Sequence, residues 1–377
     1  MTQNTIFPEI HGNFGFGFMR IPRLEDGSVN QPLVNELVDS FMTNGFNYFD
    51  TAYKYCGGLS EPALRKALVD RYPRDSYVLT TKLSNEFMKS KDEQERVFED
   101  QLRILGVDYF DFYLLHNQGK VNYAVTEELE SLEFMLRKKE EGKIRHIGMS
   151  FHDSAELLDE ILTAHPEIEV VQLQINYLDW DNASIQSRKC LEVANRHEKP
   201  VIVMEPNKGG NLIRLPEEVE KLFRAYAPER SNASWALRFA ASQPGVIMVL
   251  SGMNTMEQLA DNMQTMGDFQ SLNTEELALT TRAAEIINRR LLIPCTGCGY
   301  CTVQCPKHIP IPDYFALFQE GYMSTQIVYY FNMTQTHPKS GECIHCHLCE
   351  KHCPQHIEIT KHLETISQKF DGFKGWR

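Results

Sequence analysis

Nowhere do apolar residues run unbroken for the ~18 positions needed to cross a bilayer, so no membrane-spanning helix is expected. The first ten residues lack a basic segment ahead of an apolar one, so no secretory leader is expected either. Positive charge is in short supply: 38 Lys and Arg face 51 Asp and Glu, a net charge of -13. That balance argues against nucleic acid or an anionic membrane as the main partner. A complete G-x-G-x-x-G loop is also missing. Gly15-Phe16-Gly17 does not complete it ahead of a helix, which removes the phosphate loop of a doubly wound dinucleotide-binding sheet. A cytoplasmic location is expected.

What is present is alternation. From Phe14 to Gln264, strand-like runs trade places with helical ones. The strands read as Phe14–Ile21, Phe46–Phe49, Tyr77–Thr81, Phe110–Leu115, Ile144–Met149, Val170–Ile175, Val201–Met204 and Val246–Leu250. Pro32–Asn44, Glu61–Asp70, Glu93–Leu105, Thr126–Glu140, Ser154–Ala164, Ala183–Arg196 and Met256–Gln264 read as single helices, and 217–242 as an interrupted one. Strands separated by helices pair in parallel through right-handed crossovers, and eight such units in roughly 250 residues make a (β/α)8 barrel. An open doubly wound sheet is the alternative. A further helix is expected at Asn273–Arg290, and after Pro294 the composition turns to Cys, His and Pro. The expectation is a barrel over residues 1–285 and a smaller, mostly helical unit over 286–377, divided near 285–293.

Chemistry in such a barrel sits at the C-terminal ends of the strands. Asp50 ends the second strand, Tyr55 lies one short loop beyond it, Lys82 ends the third and His116 the fourth. Adjacent strands are about 4.8 Å apart, so these side chains can meet. A tyrosine hydroxyl with a pKa near ~10 is a poor proton donor at neutral pH, and a lysine cation beside it is expected to pull that value down. Asp50 would keep Lys82 charged and oriented, and His116 would hydrogen-bond a substrate carbonyl or steer Tyr55. Taken singly, a lysine or histidine at a strand end is more often solvated or bonded to backbone. The joint placement is what points to proton transfer at a carbonyl.

These residues resemble the aldo/keto reductases. The matching pieces are Phe49-Asp50-Thr51-Ala52 with Tyr55, Thr80-Thr81-Lys82, Leu114-Leu115-His116, the run Gly142–Ser150, and Gln172. The resemblance implies a catalytic tetrad of Asp50, Tyr55, Lys82 and His116 acting with a nicotinamide cofactor. It implies that Ser150 and Gln172 contact the nicotinamide carboxamide, and that Glu205, Ser251, Gly252, Met253, Gln258 and Asn262 lie along the cofactor. Four positions depart from the family pattern. Phe151 stands where an asparagine is usual, Glu205 where a stacking tyrosine is usual, and Gly252 and Gln258 where cations hold the 2′-phosphate of NADP. Without those cations a 2′-phosphate loses its charge-assisted contacts. NAD, NADP or another redox cofactor all remain open.

Ten cysteines are unevenly spread, eight of them between Cys295 and Cys353. Cys295-x2-Cys298-x2-Cys301-x3-Cys305-Pro306 is repeated as Cys343-x2-Cys346-x2-Cys349-x3-Cys353-Pro354. Each is the C-x2-C-x2-C-x3-C-P run of bacterial ferredoxins, in which the fourth cysteine serves the other cluster. The expected ligand sets are Cys295, Cys298, Cys301 and Cys353 for one [4Fe–4S] cluster, and Cys343, Cys346, Cys349 and Cys305 for the second. Paired C-x2-C spacings also suit zinc, but the third and fourth cysteines and the trailing prolines favour clusters. The tail resembles two-cluster ferredoxin domains, and its long 306–342 insert is expected to be partly helical. His308, His345, His347, His352 and His356 are expected at the surface or behind the ligands. Cys56 and Cys190 are expected to be spectators.

The whole reads as an oxidoreductase that interconverts a carbonyl compound and an alcohol, with the clusters passing electrons to or from a redox partner protein. The alternative is a barrel that works alone, by redox or by acid–base elimination or epimerisation, with the tail as a structural or docking module.

Overall fold

The computed structural model describes residues 4–85, 88–289, 293, 295, 297–318 and 326–373. Eight strands form a closed barrel in chain order. They are β1 (Phe14–Gly17), β2 (Tyr48–Asp50), β3 (Val78–Leu83), β4 (Phe110–Gln118), β5 (Ile144–Phe151), β6 (Val170–Gln174), β7 (Val201–Met204) and β8 (Val246–Ser251). Every pairing is parallel, and β8 closes onto β1 through Phe14 opposite Val249. This is the barrel the alternation predicts, not the open sheet. Parallel strands are covered on both faces, which is why β3 and β6 are buried along their whole length.

The helices bury one stripe each against that sheet. In helix Gln31–Thr43 the stripe is Val34, Leu37, Val38 and Phe41, with Pro32 in the first turn and the Asn30 side chain accepting the Leu33 N–H. Inside the barrel, apolar residues give way to polar ones along the same inward rows: Tyr48 then Asp50, Val78 then Lys82, Leu114 then His116. The barrel is thus a packed core below and a polar mouth above. Gly148 lets β5 close on β6, because a Cβ there would lie 2.5 Å from both Cγ1 and the carbonyl oxygen of Val170.

Three expectations need adjusting. The first strand stops at Gly17 and gives way to a 3-10 turn, Phe18–Arg20. The single helix expected at 126–140 is two, Lys120–Glu128 and Ser131–Glu140, broken where Glu130 takes a φ of 50°. β4 and β5 run on past the expected ends, with a shift of register between Leu115 and Gln118. That irregularity carries His116 and Asn117.

The C-terminal lobe has its own core, which includes Tyr314, Leu317, Tyr330, Leu363, Ile366 and Phe370. Helices Ile311–Leu317 and Gln326–Thr334 come from the insert between the two cysteine runs, which is helical in part as expected. The long helix Thr274–Arg289 packs Ala283 and Ile286 into the barrel core, whereas Ile293 belongs to the lobe. Among the described residues one barrel residue crosses over: Ile185, in the loop after β6, is buried in the lobe's core. Beside it, the Asn182 side chain donates to the Ala316 carbonyl at 3.1 Å and the Ser184 hydroxyl to the Asp313 carbonyl at 3.2 Å. Among the described residues no helix is long and apolar enough to cross a membrane.

Candidate active site and cluster sites

Lys82 is the centre of the barrel mouth. Its ammonium donates to Asp50 Oδ1 at 2.7 Å and to the Thr51 carbonyl at 2.8 Å, and it is fully buried. It also lies 4.8 Å from the centre of the Tyr55 ring. Asp50 takes a second donor, Gln172 Nε2 at 3.1 Å, from the opposite wall of the barrel. The His116 ring meets Tyr55 edge-on at 5.7 Å, and its Nδ1 pairs with the Ser84 hydroxyl at 2.7 Å. All four residues expected at the strand ends are therefore brought together.

Their electrostatics follow from burial and from one cation. Asp50 and Tyr55 outweigh the desolvation of Lys82, so its pKa is raised and it stays charged. His116 is held well below its usual range, first by burial and then by the charge on Lys82, so its ring is neutral. Tyr55 corrects the sequence expectation. Lys82 does lower its pKa, but burial raises it more and Asp50 adds to the rise. The net direction is upward, and Tyr55 is a phenol at neutral pH. A sequence shows the neighbouring charges but not the depth at which they sit.

Beside the mouth runs a cleft of about 520 Å³ between the ends of β7, β8 and β1. Glu205, Ser251, Gly252, Gln258 and Asn262 line it as expected, whereas Ser150, Gln172 and Met253 do not. Ser150 accepts the Asn117 backbone N–H at 2.8 Å, Gln172 serves Asp50, and Met253 packs into the barrel core. Glu205 sits at a φ of 56° and accepts from Arg20 at 2.8 Å. Its loop is held from below by a buried ion pair, Lys208 with Asp179. Two buried acceptors in the cleft, Glu205 Oε2 and Asn207 Oδ1, have no donor. The ionisable residues lining it are Arg20, Glu205, Glu257 and Asp261, so the walls carry more negative than positive charge.

In the lobe, the two cysteine runs exchange their last members. One hollow is lined by Cys295, Cys298, Cys301 and Cys353, the other by Cys343, Cys346, Cys349 and Cys305. Apolar side chains close both: Phe315 and Ile357 around the first, Ile311 and Leu363 around the second. Among the described residues, no three Cys, His, Asp or Glu side chains converge tightly enough to grip a single metal ion. Four thiols spread around a hollow fit a cluster several atoms wide and not one zinc. The repeat extends to the backbone. Gly297, Gly299 and His308 have φ of 71°, 78° and 53°, and their counterparts His345, His347 and His356 have 53°, 56° and 51°. All five tail histidines named above are exposed.

The profile of the Aldo/keto reductase family matches residues 13–285. The chain belongs to the aldo/keto reductase family. As an aldo/keto reductase it is an oxidoreductase, and a second profile, the 4Fe-4S dicluster domain, matches residues 294–358. Among its relatives is NADH-specific methylglyoxal reductase of Escherichia coli, 25% identical, the match covering 65% of this chain and 85% of that one. Another is L-galactose dehydrogenase of Arabidopsis thaliana, 24% identical over 63% of this chain and 78% of that one. Among solved structures, the holo form of an aldo-keto reductase from Bacillus halodurans superposes with a TM-score of 0.60 at 25% identity. That match covers 75% of this chain and 95% of that one.

Two residues of this aldo/keto reductase escaped the sequence reading. Arg20 follows β1 and His152 directly follows β5. Both obey the rule that singled out Lys82 and His116, a polar side chain at or just past a strand's C-terminal end. His152 is 6% exposed, and burial, with the charge on Lys82 adding to it, pushes its pKa down to about 3.

Proposed function

We propose that the barrel interconverts a carbonyl compound and its alcohol, with Tyr55 as the proton donor. The observation that carries this is the Lys82 ammonium, bonded at once to Asp50 and the Thr51 carbonyl and 4.8 Å from the Tyr55 ring, which His116 meets edge-on. Tyr55, kept protonated by burial, gives its proton to the substrate oxygen as negative charge develops there. Lys82 then stabilises the phenolate, and Asp50 keeps Lys82 charged and in place. In the tautomer that accepts the Ser84 hydroxyl at Nδ1, His116 carries its ring proton on Nε2 and donates it to the same oxygen. Bound in these sites, a nicotinamide dinucleotide supplies a hydride and [4Fe–4S] clusters supply single electrons.

We assign the dinucleotide to the cleft between β7, β8 and β1. Its orphaned acceptors on Glu205 and Asn207 call for donors, which ribose hydroxyls and a carboxamide provide. Its acidic lining favours NAD over NADP, because Glu257 and Asp261 repel a 2′-phosphate and Arg20 is already paired with Glu205. Titration by fluorescence is expected to show tighter binding of NADH than of NADPH. A carbonyl panel assayed anaerobically with both tests the reaction. Absence of turnover with either, on protein with full iron content, would overturn the reading.

Residues 1–285 form the catalytic unit in this proposal, and the lobe holds clusters on the two cysteine sets described. It needs a reducing compartment, the cytoplasm, to keep those thiols reduced. We propose that the clusters exchange electrons with a redox partner protein. If they keep one redox state when the holoprotein is mixed with cofactor and substrate in stopped flow, that relay fails. A second reading, in which the lobe mainly supports the barrel, is favoured by the Ile185 insertion and the hydrogen bonds around it.

A further inference from the structure

His116 reaches the barrel mouth from an irregular stretch of β4. The strand shifts register against β5 between Leu115 and Gln118, so neither His116 nor Asn117 stands in a ladder pair with β3 or β5. Side chains hold that stretch instead. The His116 carbonyl accepts from Gln118 Nε2 at 3.0 Å. Asn117, at a φ of 51°, is held at its N–H, its carbonyl and its side chain. The N–H donates to the Ser150 hydroxyl at 2.8 Å, and the carbonyl accepts from Asn122 Nδ2 at 2.7 Å. Oδ1 accepts from Asn332 Nδ2 at 3.2 Å, and the same amide donates to the His152 carbonyl at 3.3 Å. Two of the three holds come from the barrel. The third comes from helix Gln326–Thr334 of the C-terminal lobe. The helix can come this close because residue 119 is glycine: a Cβ there would lie 3.2 Å from Asn332 Nδ2. Tyr329, three residues earlier on the same helical face, is buried and meets the His152 ring edge-on at 5.4 Å. Helix and barrel mouth are therefore packed directly on each other.

We propose that Asn332 is a positioning residue for the carbonyl reaction: through Asn117 it fixes the backbone that presents the His116 ring to the substrate oxygen. A left-handed backbone is less stable than the ordinary one outside glycine, and it persists where its surroundings hold it. With one hold released, the segment relaxes and the ring attached to it moves. His116 meets Tyr55 edge-on at 5.7 Å and pairs with Ser84 through Nδ1. A shift of its backbone changes the angle at which that ring meets the oxygen, and the chemistry depends steeply on such placement. This rests on the carbonyl reaction proposed above. It makes the lobe part of the barrel's active site without any electron passing between them.

The test uses anaerobic holoprotein with full iron content and the carbonyl of the panel that wild-type protein turns over fastest with NADH. Asn332→Leu removes the donor and keeps the bulk. It is expected to lower kcat about fivefold, the size of one hydrogen bond. NADH affinity by fluorescence and the visible spectrum of the clusters should stay unchanged. Asn332→Asp, the same shape without the donor, is expected to match it. In a His116→Phe background, Asn332→Leu should change kcat by less than a factor of two, because no imidazole remains to be misplaced. Support of the fold alone would cost both backgrounds equally. NMR of protein carrying isotope-labelled histidine reads the same link without turnover. The His116 Cε1–Hε1 signal, identified by its absence in His116→Phe, is expected to move in Asn332→Leu. If wild-type protein reduces no carbonyl but the signal still moves, the carbonyl reaction is wrong and the positioning of His116 stands. If the signal keeps its place, or kcat falls equally in both backgrounds, the positioning is wrong.

Discussion

In the barrel, Asp50, Lys82 and His116 end three separate strands, and only the register of the sheet makes them neighbours. In the lobe, Cys295, Cys298 and Cys301 sit within a few residues of one another, and only the fourth cysteine of their hollow, Cys353, is distant in the chain. The barrel pre-builds its site: hydrophobic layers beneath the mouth hold a buried ion pair in place. The lobe gathers thiols around a hollow whose filling is inorganic. One site is organised by topology and burial, the other by loop spacing and ligation. Damage should therefore spread differently in the two.

The largest effect is expected at the mouth. Tyr55→Phe removes the proposed proton donor without touching the ion pair, so kcat should fall by roughly 10²–10⁴ while the visible spectrum of the clusters stays the same. A spectrum that changed with it would break the separation drawn here. Lys82→Met comes next. It strands Asp50 in the barrel with Gln172 as its one remaining side-chain donor among the described residues. Stability should drop by about 3–5 kcal/mol in denaturant melts followed by far-UV circular dichroism.

A third effect depends on pH. Glu61, buried behind β3 and bonded to Thr81 and Gln101 at 2.7 Å each, has its pKa raised by burial from 4.5 to about 7. Below about 4.5 it is protonated in both folded and unfolded chains. As pH climbs through 7 the unfolded chain ionises first, so folding loses on the order of 3 kcal/mol across that window. Glu61→Gln should flatten this slope in urea melts at pH 5 and 8; an unchanged slope would remove Glu61 from the account. The smallest effect belongs to the lobe. His345 holds a φ of 53° where its counterpart in the other run is Gly297. His345→Gly should stabilise the lobe by about 1 kcal/mol, seen as a higher bleaching temperature of the clusters.

Much of this was legible beforehand, for physical reasons. Strand ends are visible because an apolar run stops at a polar residue, and that rule found Asp50, Lys82 and His116. The cysteine runs are legible because ligation demands fixed spacing. The crossed sets around the two hollows follow that spacing. The helix break at Glu130 was hidden, since no glycine or proline marks it. The pKa of Tyr55 was misjudged in sign because burial is a property of the closed barrel. Arg20 and His152 were passed over because their partners, Glu205 and Tyr329, lie far along the chain. Met253 was placed on the cofactor by analogy and turned out to belong to the core.

Ile185 bears on how freely such a chain can be cut and joined. A barrel that ended after Arg289 would carry an isoleucine facing water, and a lobe expressed alone would keep a gap of the same shape in its core. Neither half is a cassette. Grafting this lobe onto another barrel means carrying the loop after β6 along with it, so the heritable unit is the fusion itself.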